Sequence, residues 1–160
     1  GGYATMAIPA ALFIRKYSYK AGIVLGLFMF MIGSLMMYPA AVLVSYNIFL
    51  VSFYILTFGL AFLETTANPM ILELGDKETA TQRLNLSQAF NPIGALTGQV
   101  VARIFVVDRL ETEIGADVST EVLSAVQKQQ IIELDLGIVS TPYIVLGFVV
   151  LTVMLLFIFT

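Results

Sequence analysis

Between Lys20 and Glu73 the chain carries one charged residue, Glu64. A charge-free run over residues 21–63 is long enough for two membrane crossings at about 20 residues each, and it predicts a fold of paired apolar helices before anything else is known. Further charge-free stretches at 84–102 and 136–160 predict two more crossings. The composition agrees: 59% of residues are hydrophobic and the mean hydropathy is +0.93, well above the roughly 45–50% apolar content of soluble domains. The chain reads as an all-α membrane protein, a transmembrane helix bundle.

Residues 1–14 are also uncharged but too short to span alone, and they are expected to be part of a helix truncated at its start. A cleaved leader would open with basic residues, whereas this stretch ends on Arg15 and Lys16. The expected passes are 1–14 in part, 21–44, 48–72, 84–107 and 141–160. Residues 108–140 form an acidic outer connection carrying Asp108, Glu111, Glu113, Asp117, Glu121, Glu133 and Asp135. Arg15, Lys16 and Lys20 fall in the first connection and Lys77 and Arg83 in the third, so the positive-inside rule places both in the cytoplasm. Within the acidic connection, Ser119 or Thr120 would cap a short helix to about Ile132. A solvated connector is preferred there over a lid.

With no cysteine and no histidine in the chain, disulfides, His-dependent triads and the usual zinc and haem sites are excluded. No basic patch supports nucleic-acid binding. Gly22/Gly26 and Gly94/Gly98, the latter continued by Ala102, put small residues on one helix stripe, which predicts close packing within the bundle rather than dimerisation. Asn85-Leu86-Ser87 matches a glycosylation pattern by chance, since it opens a buried pass. Arg103 lies near the outer end of its pass and is expected to snorkel to the headgroups or pair with Asp108.

An ionisable residue inside a membrane pass points to function. Glu64 and Asn68 are one helical turn apart on a shared face, with Thr57 and Ala61 extending the stripe and Pro69 freeing a carbonyl beside it. In the next pass Asn85, Gln88 and Asn91 recur every three residues before Pro92, with Gln99 beyond. An isolated amide would be read as glue between helices. Here the two stripes lie on consecutive passes at depths within several ångström, which predicts one polar cavity. Amides that both donate and accept, next to a carboxylate, suit a ligand dense in hydroxyls.

The blocks Leu63-Glu64-Thr65-Thr66-Ala67-Asn68-Pro69 and Arg83-Leu84-Asn85-Leu86-Ser87-Gln88-Ala89-Phe90-Asn91, preceded by Ser18-Tyr19-Lys20-Ala21-Gly22-Ile23, resemble the L-fucose permease branch of the major facilitator superfamily, the fucose/glucose/galactose:proton symporters. The likeness runs over nearly the whole chain. It implies a bundle of major facilitator type with about five of twelve helices present, a partial N-terminal half. The first helix and the C-terminal half would then be partners supplied from outside these residues. It further implies proton-coupled uptake of a monosaccharide across the bacterial inner membrane, with no cofactor and the proton as coupling ion. Glu64 would couple protonation to transport, and Asn68, Gln88 and Asn91 would line the sugar site. Because desolvation disfavours a bare carboxylate, a buried Glu64 would travel in its neutral form.

Arg15, Lys16 and Lys20 sit where the superfamily keeps a basic loop. Pairing with Glu73 or Asp76 would make that loop part of an inner gate; plain topology signalling explains it equally well. A non-transporting membrane assembly, and a facilitator of another small polar solute, are the alternatives. An intramembrane enzyme is disfavoured because no nucleophile, base or metal cluster accompanies Glu64, and drug efflux because polar residues outnumber aromatic ones in the two passes.

Overall fold

A computed structural model describes residues 2–107, 110 and 125–159, the side chains of 2–4, 6, 7 and 125–129 excepted. The described residues form six α-helices: α1 Gly2–Lys16, α2 Tyr19–Leu35, α3 Met37–Val42, α4 Tyr46–Glu73, α5 Ala80–Ala102 and α6 Ala125–Phe159. Among the described residues four spans are long and apolar enough to cross a membrane: Tyr19–Val42, Tyr46–Glu73, Lys77–Val107 and Gln130–Phe159. Their outer faces expose Phe28, Leu50, Val51, Tyr54 and Leu156, a surface suited to lipid and not to water.

Local chemistry sets the boundaries. Ser18, in extended conformation, accepts from the Ala21 amide at 3.1 Å and so caps α2. α3 follows α2 after Met36 alone and ends in a Schellman motif, with Ser45 N–H on the Ala40 carbonyl at 3.0 Å and Val44 N–H on that of Ala41 at 3.2 Å. Val44 occupies the left-handed position of that motif at φ 48°, where glycine is usual. α4 runs for 28 residues, about 42 Å at 1.5 Å per residue, straight through Pro69.

The centre of the bundle is the crossing of α2 with α4. Its glycines act by having no side chain. A Cβ on Gly33 would stand 2.5 Å from the Leu56 backbone nitrogen, one on Gly22 2.6 Å from the Thr66 methyl and one on Gly26 2.9 Å from Leu63 Cγ. Gly59 presses from α4 against the backbone of Phe30. Ile23 and Leu27 of α2 meet Met154 of α6 in the buried core, while α1 lies against α4 and also touches α2. α5 packs on α4 and buries none of its residues. The Gly22/Gly26 stripe is thus a packing face, whereas Gly94 and Gly98 have no neighbour within 4 Å among the described residues.

The last helix departs from the expected boundary. Residues 125–140, expected as the end of a connector, belong to a single helix of 35 residues, about 52 Å long. Glutamines, leucines and isoleucines there are adequate helix formers, and the polar side chains that suggested a loop lie on turns reaching past a hydrocarbon layer of about 30 Å. The proposed short helix is part of α6 where it can be seen, and its cap residues Ser119 and Thr120 lie outside the described residues, as does Asp108. At its C-terminal end α5 passes into a π-helical turn, Arg103–Val107.

Candidate functional site: a polar crevice between two membrane helices

Residues 63–69 divide their duties by angle around α4. Leu63 and Thr66 face α2, where Thr66 is fully buried with its hydroxyl donating to the Phe62 carbonyl at 2.8 Å. Thr65 returns its hydroxyl to the Ala61 carbonyl at 2.8 Å. Both threonines satisfy themselves within the helix, which leaves Glu64 and Asn68 for the side turned to α5, with Leu63 and Ala67 between the crevice and the core around Ile23 and Leu27.

A crevice of about 170 Å³ opens there, lined by Glu64, Asn68, Ser87, Gln88 and Asn91 with Leu63, Ala67 and Ile71. Gln88 Nε2 donates to Asn68 Oδ1 at 3.1 Å, and Asn91 Nδ2 donates to Gln88 Oε1 at 3.0 Å. This amide relay crosses from one helix to the other and leaves N–H groups on all three side chains and the carbonyl of Asn91 unspent. Glu64 is exposed on the same wall and forms no hydrogen bond or ion pair with the described residues. The four residues singled out from spacing therefore meet in one place. Asn85 and Gln99, of the same stripe, do not line it.

One expectation is corrected: Glu64 is not buried among the described residues. Those that face it across the crevice come from α5, so any desolvation of the carboxylate has to come from outside the described residues.

Among the described residues Arg15, Lys16 and Lys20 make no ion pair with Glu73 or Asp76. Glu73 accepts from the Tyr19 hydroxyl at 2.8 Å. Lys20, one residue and about 100° further round α2, turns to α6 and donates to the Ile158 carbonyl at 3.4 Å. Lys16 lies over the Tyr17 ring at 5.4 Å, and Arg15 is exposed. These contacts gather the start of α2 and the ends of α4 and α6 at one end of the bundle, the arrangement that alternating crossings require.

Two residues were missed by spacing. Ser87 lines the crevice despite sitting in a chance glycosylation match. Arg83, read as a topology charge, binds four acceptors, which are taken up below. Its sequence context is the same for either duty, so no signal separated them.

The described residues thus form a bundle of membrane helices with a hydrophilic crevice between two proline-bearing spans. It superposes on the crystal structure of a major facilitator superfamily transporter, FucP, in the outward conformation, with a TM-score of 0.85 and 36% identity over 99% of this chain and 38% of that one. No protein-family model matches the sequence. Over 159 residues it is 54% identical to the L-fucose-proton symporter of Haemophilus influenzae, covering 98% of this chain and 37% of the relative. Over 106 residues it is 38% identical to a glucose/galactose transporter of Brucella abortus, covering 66% and 26%. The chain belongs to the L-fucose permease branch of the superfamily. It spans a little over a third of the length of the fucose symporter it matches.

Proposed function

We propose that the whole protein to which this chain belongs carries a monosaccharide of the fucose, glucose or galactose type into the bacterial cell together with a proton, across the inner membrane. The observation that carries this reading is the relay Asn68–Gln88–Asn91 beside an unpaired Glu64. Each sugar hydroxyl donates and accepts at once, and the relay offers both kinds of group over a few ångström. The relatives named above are a fucose-proton symporter and a glucose/galactose transporter, which supports the sugar class without choosing within it.

The crevice holds about 170 Å³, less than the roughly 300–1,000 Å³ of complete small-molecule pockets. A site shared between two halves that rock against each other accounts for the remainder. In that cycle Glu64 takes a proton while the crevice is open outward. Closure then removes water from a neutral carboxyl, which avoids the several kcal/mol of desolvating a bare charge. Opening inward returns the proton to the cytoplasm.

The test is sugar-dependent proton movement in proteoliposomes of the full-length protein, with fucose, glucose and galactose compared. One sugar should alkalinise the outside. Glu64→Gln should abolish uphill accumulation while sugar exchange persists, because the amide keeps the neutral state and carries no proton. Undiminished uphill transport by that variant would remove Glu64 from the coupling.

A further inference from the structure

Arg83 sits on the first turn of α5, five residues before Gln88, and is half-buried. Its Nε donates to the Ile71 carbonyl at 3.4 Å and one Nη to that of Leu72 at 3.5 Å. The other Nη donates to the Asp76 carbonyl at 3.0 Å and to the Thr79 hydroxyl at 2.6 Å. Ile71 and Leu72 close α4, where carbonyls have no donor left in the helix and the helix dipole is negative. The chain can fold beneath the guanidinium because Gly75 adopts φ 79°, and a Cβ there would stand 3.4 Å from Nη1. Arg83 therefore ties the end of α4, the turn and the start of α5 to one planar group.

Among the described residues α5 has few other fastenings. None of its residues is buried, and α4 is the transmembrane helix it packs on among the described residues. The Gln88–Asn68 bond lies about 7.5 Å further along the axis at 1.5 Å per residue. A rotation or slide of α5 released at Arg83 would therefore move Gln88 and Asn91 against the α4 wall.

We propose that Arg83 is a positioning residue for the polar crevice: by fastening the start of α5 to the end of α4 it sets the register of Gln88 and Asn91 against Asn68, and with it the affinity for the transported sugar. The affinity part rests on the proposed sugar site; the register part does not. Lysine cannot replace the group, because four acceptors in different directions match a rigid fork and not a single ammonium.

The test uses the full-length protein with Arg83→Lys, which keeps the positive charge that orients the loop, and with Gly75→Ala, which disturbs the same clamp from its backbone. Sugar Kd is expected to rise about tenfold in Arg83→Lys, as for residues coupled through one network. In a Gln88→Ala background the same change should add less than about twofold, since the register has lost the side chain it aligns. Wild-type affinity, or penalties that multiply independently, would overturn the proposal. A sugar-free readout is the alkylation rate of Ser87→Cys, half-buried in the crevice, in a background free of other reactive cysteines. It should rise several-fold in Arg83→Lys and in Gly75→Ala, and an unchanged rate in both would overturn the register claim. If no hexose binds the wild-type protein, the sugar reading falls and the alkylation rates alone decide on Arg83. If Arg83→Lys does not fold, Gly75→Ala carries both measurements.

Discussion

The two sides of α4 are built on opposite plans. Toward α2 the helix is joined by backbone approach: Gly22, Gly26 and Gly33 on one helix and Gly59 on the other leave no room even for a methyl group. Toward α5 it is joined by hydrogen bonds between exposed amides and by Arg83 at one end, with a crevice in between. The first joint is held by van der Waals contact, which falls off steeply with distance. The second is polar and directional, and can exchange protein partners for ligand partners at little cost. A transporter needs both, a wall that does not yield and a wall that can be re-partnered.

The contrast breaks most severely if the closed side is forced. Gly33→Leu should cost about 3 kcal/mol or more through overpacking against the Leu56 backbone, read as loss of folded protein by size-exclusion in detergent and a lowered melting temperature. A near-wild-type Gly33→Leu would show that the α2–α4 seam is not close-packed. Asn91→Ala sharpens the other side: it removes one bond of the relay, so stability should change by about 0.6 kcal/mol or less, the usual worth of a membrane hydrogen bond, while sugar affinity falls about tenfold, 1.4 kcal/mol. Equal losses in melting and in binding would make the relay structural glue. The last effect concerns neither wall. Val44→Gly relieves a β-branched residue in the left-handed region, which costs roughly 1–2 kcal/mol, and should raise the melting temperature by a few degrees with transport unchanged.

Much of this was legible because membrane helices advertise themselves. The uncharged runs located the four spans, and the spacing of Glu64 with Asn68, and of Gln88 with Asn91, put each pair on one face. What failed did so for identifiable reasons. Gly94/Gly98 is indistinguishable by spacing from Gly22/Gly26, yet only the latter meets a neighbour among the described residues, because a stripe names a face and not its occupant. Glu133 and Asp135 disguised the start of α6, since hydropathy marks where a helix leaves the membrane and not where it ends. Glu64 read as buried because composition reports a span's average environment, whereas its side chain faces the one side of α4 that is half open. Glu73 finds Tyr19 and not a lysine because the first turn of α2 presents the phenol on that side.

The division of labour within residues 63–69 has a consequence for adaptability. Every second or third position of that block is committed to the α2 seam, so random change there damages folding as often as it retunes recognition. The opposing wall on α5 carries Gln88 and Asn91 on a helix with no buried residue. Among the described residues, substitutions there meet few neighbours. New solute preferences, whether arising by natural drift or sought by laboratory selection, should therefore accumulate on α5 while α4 stays nearly fixed.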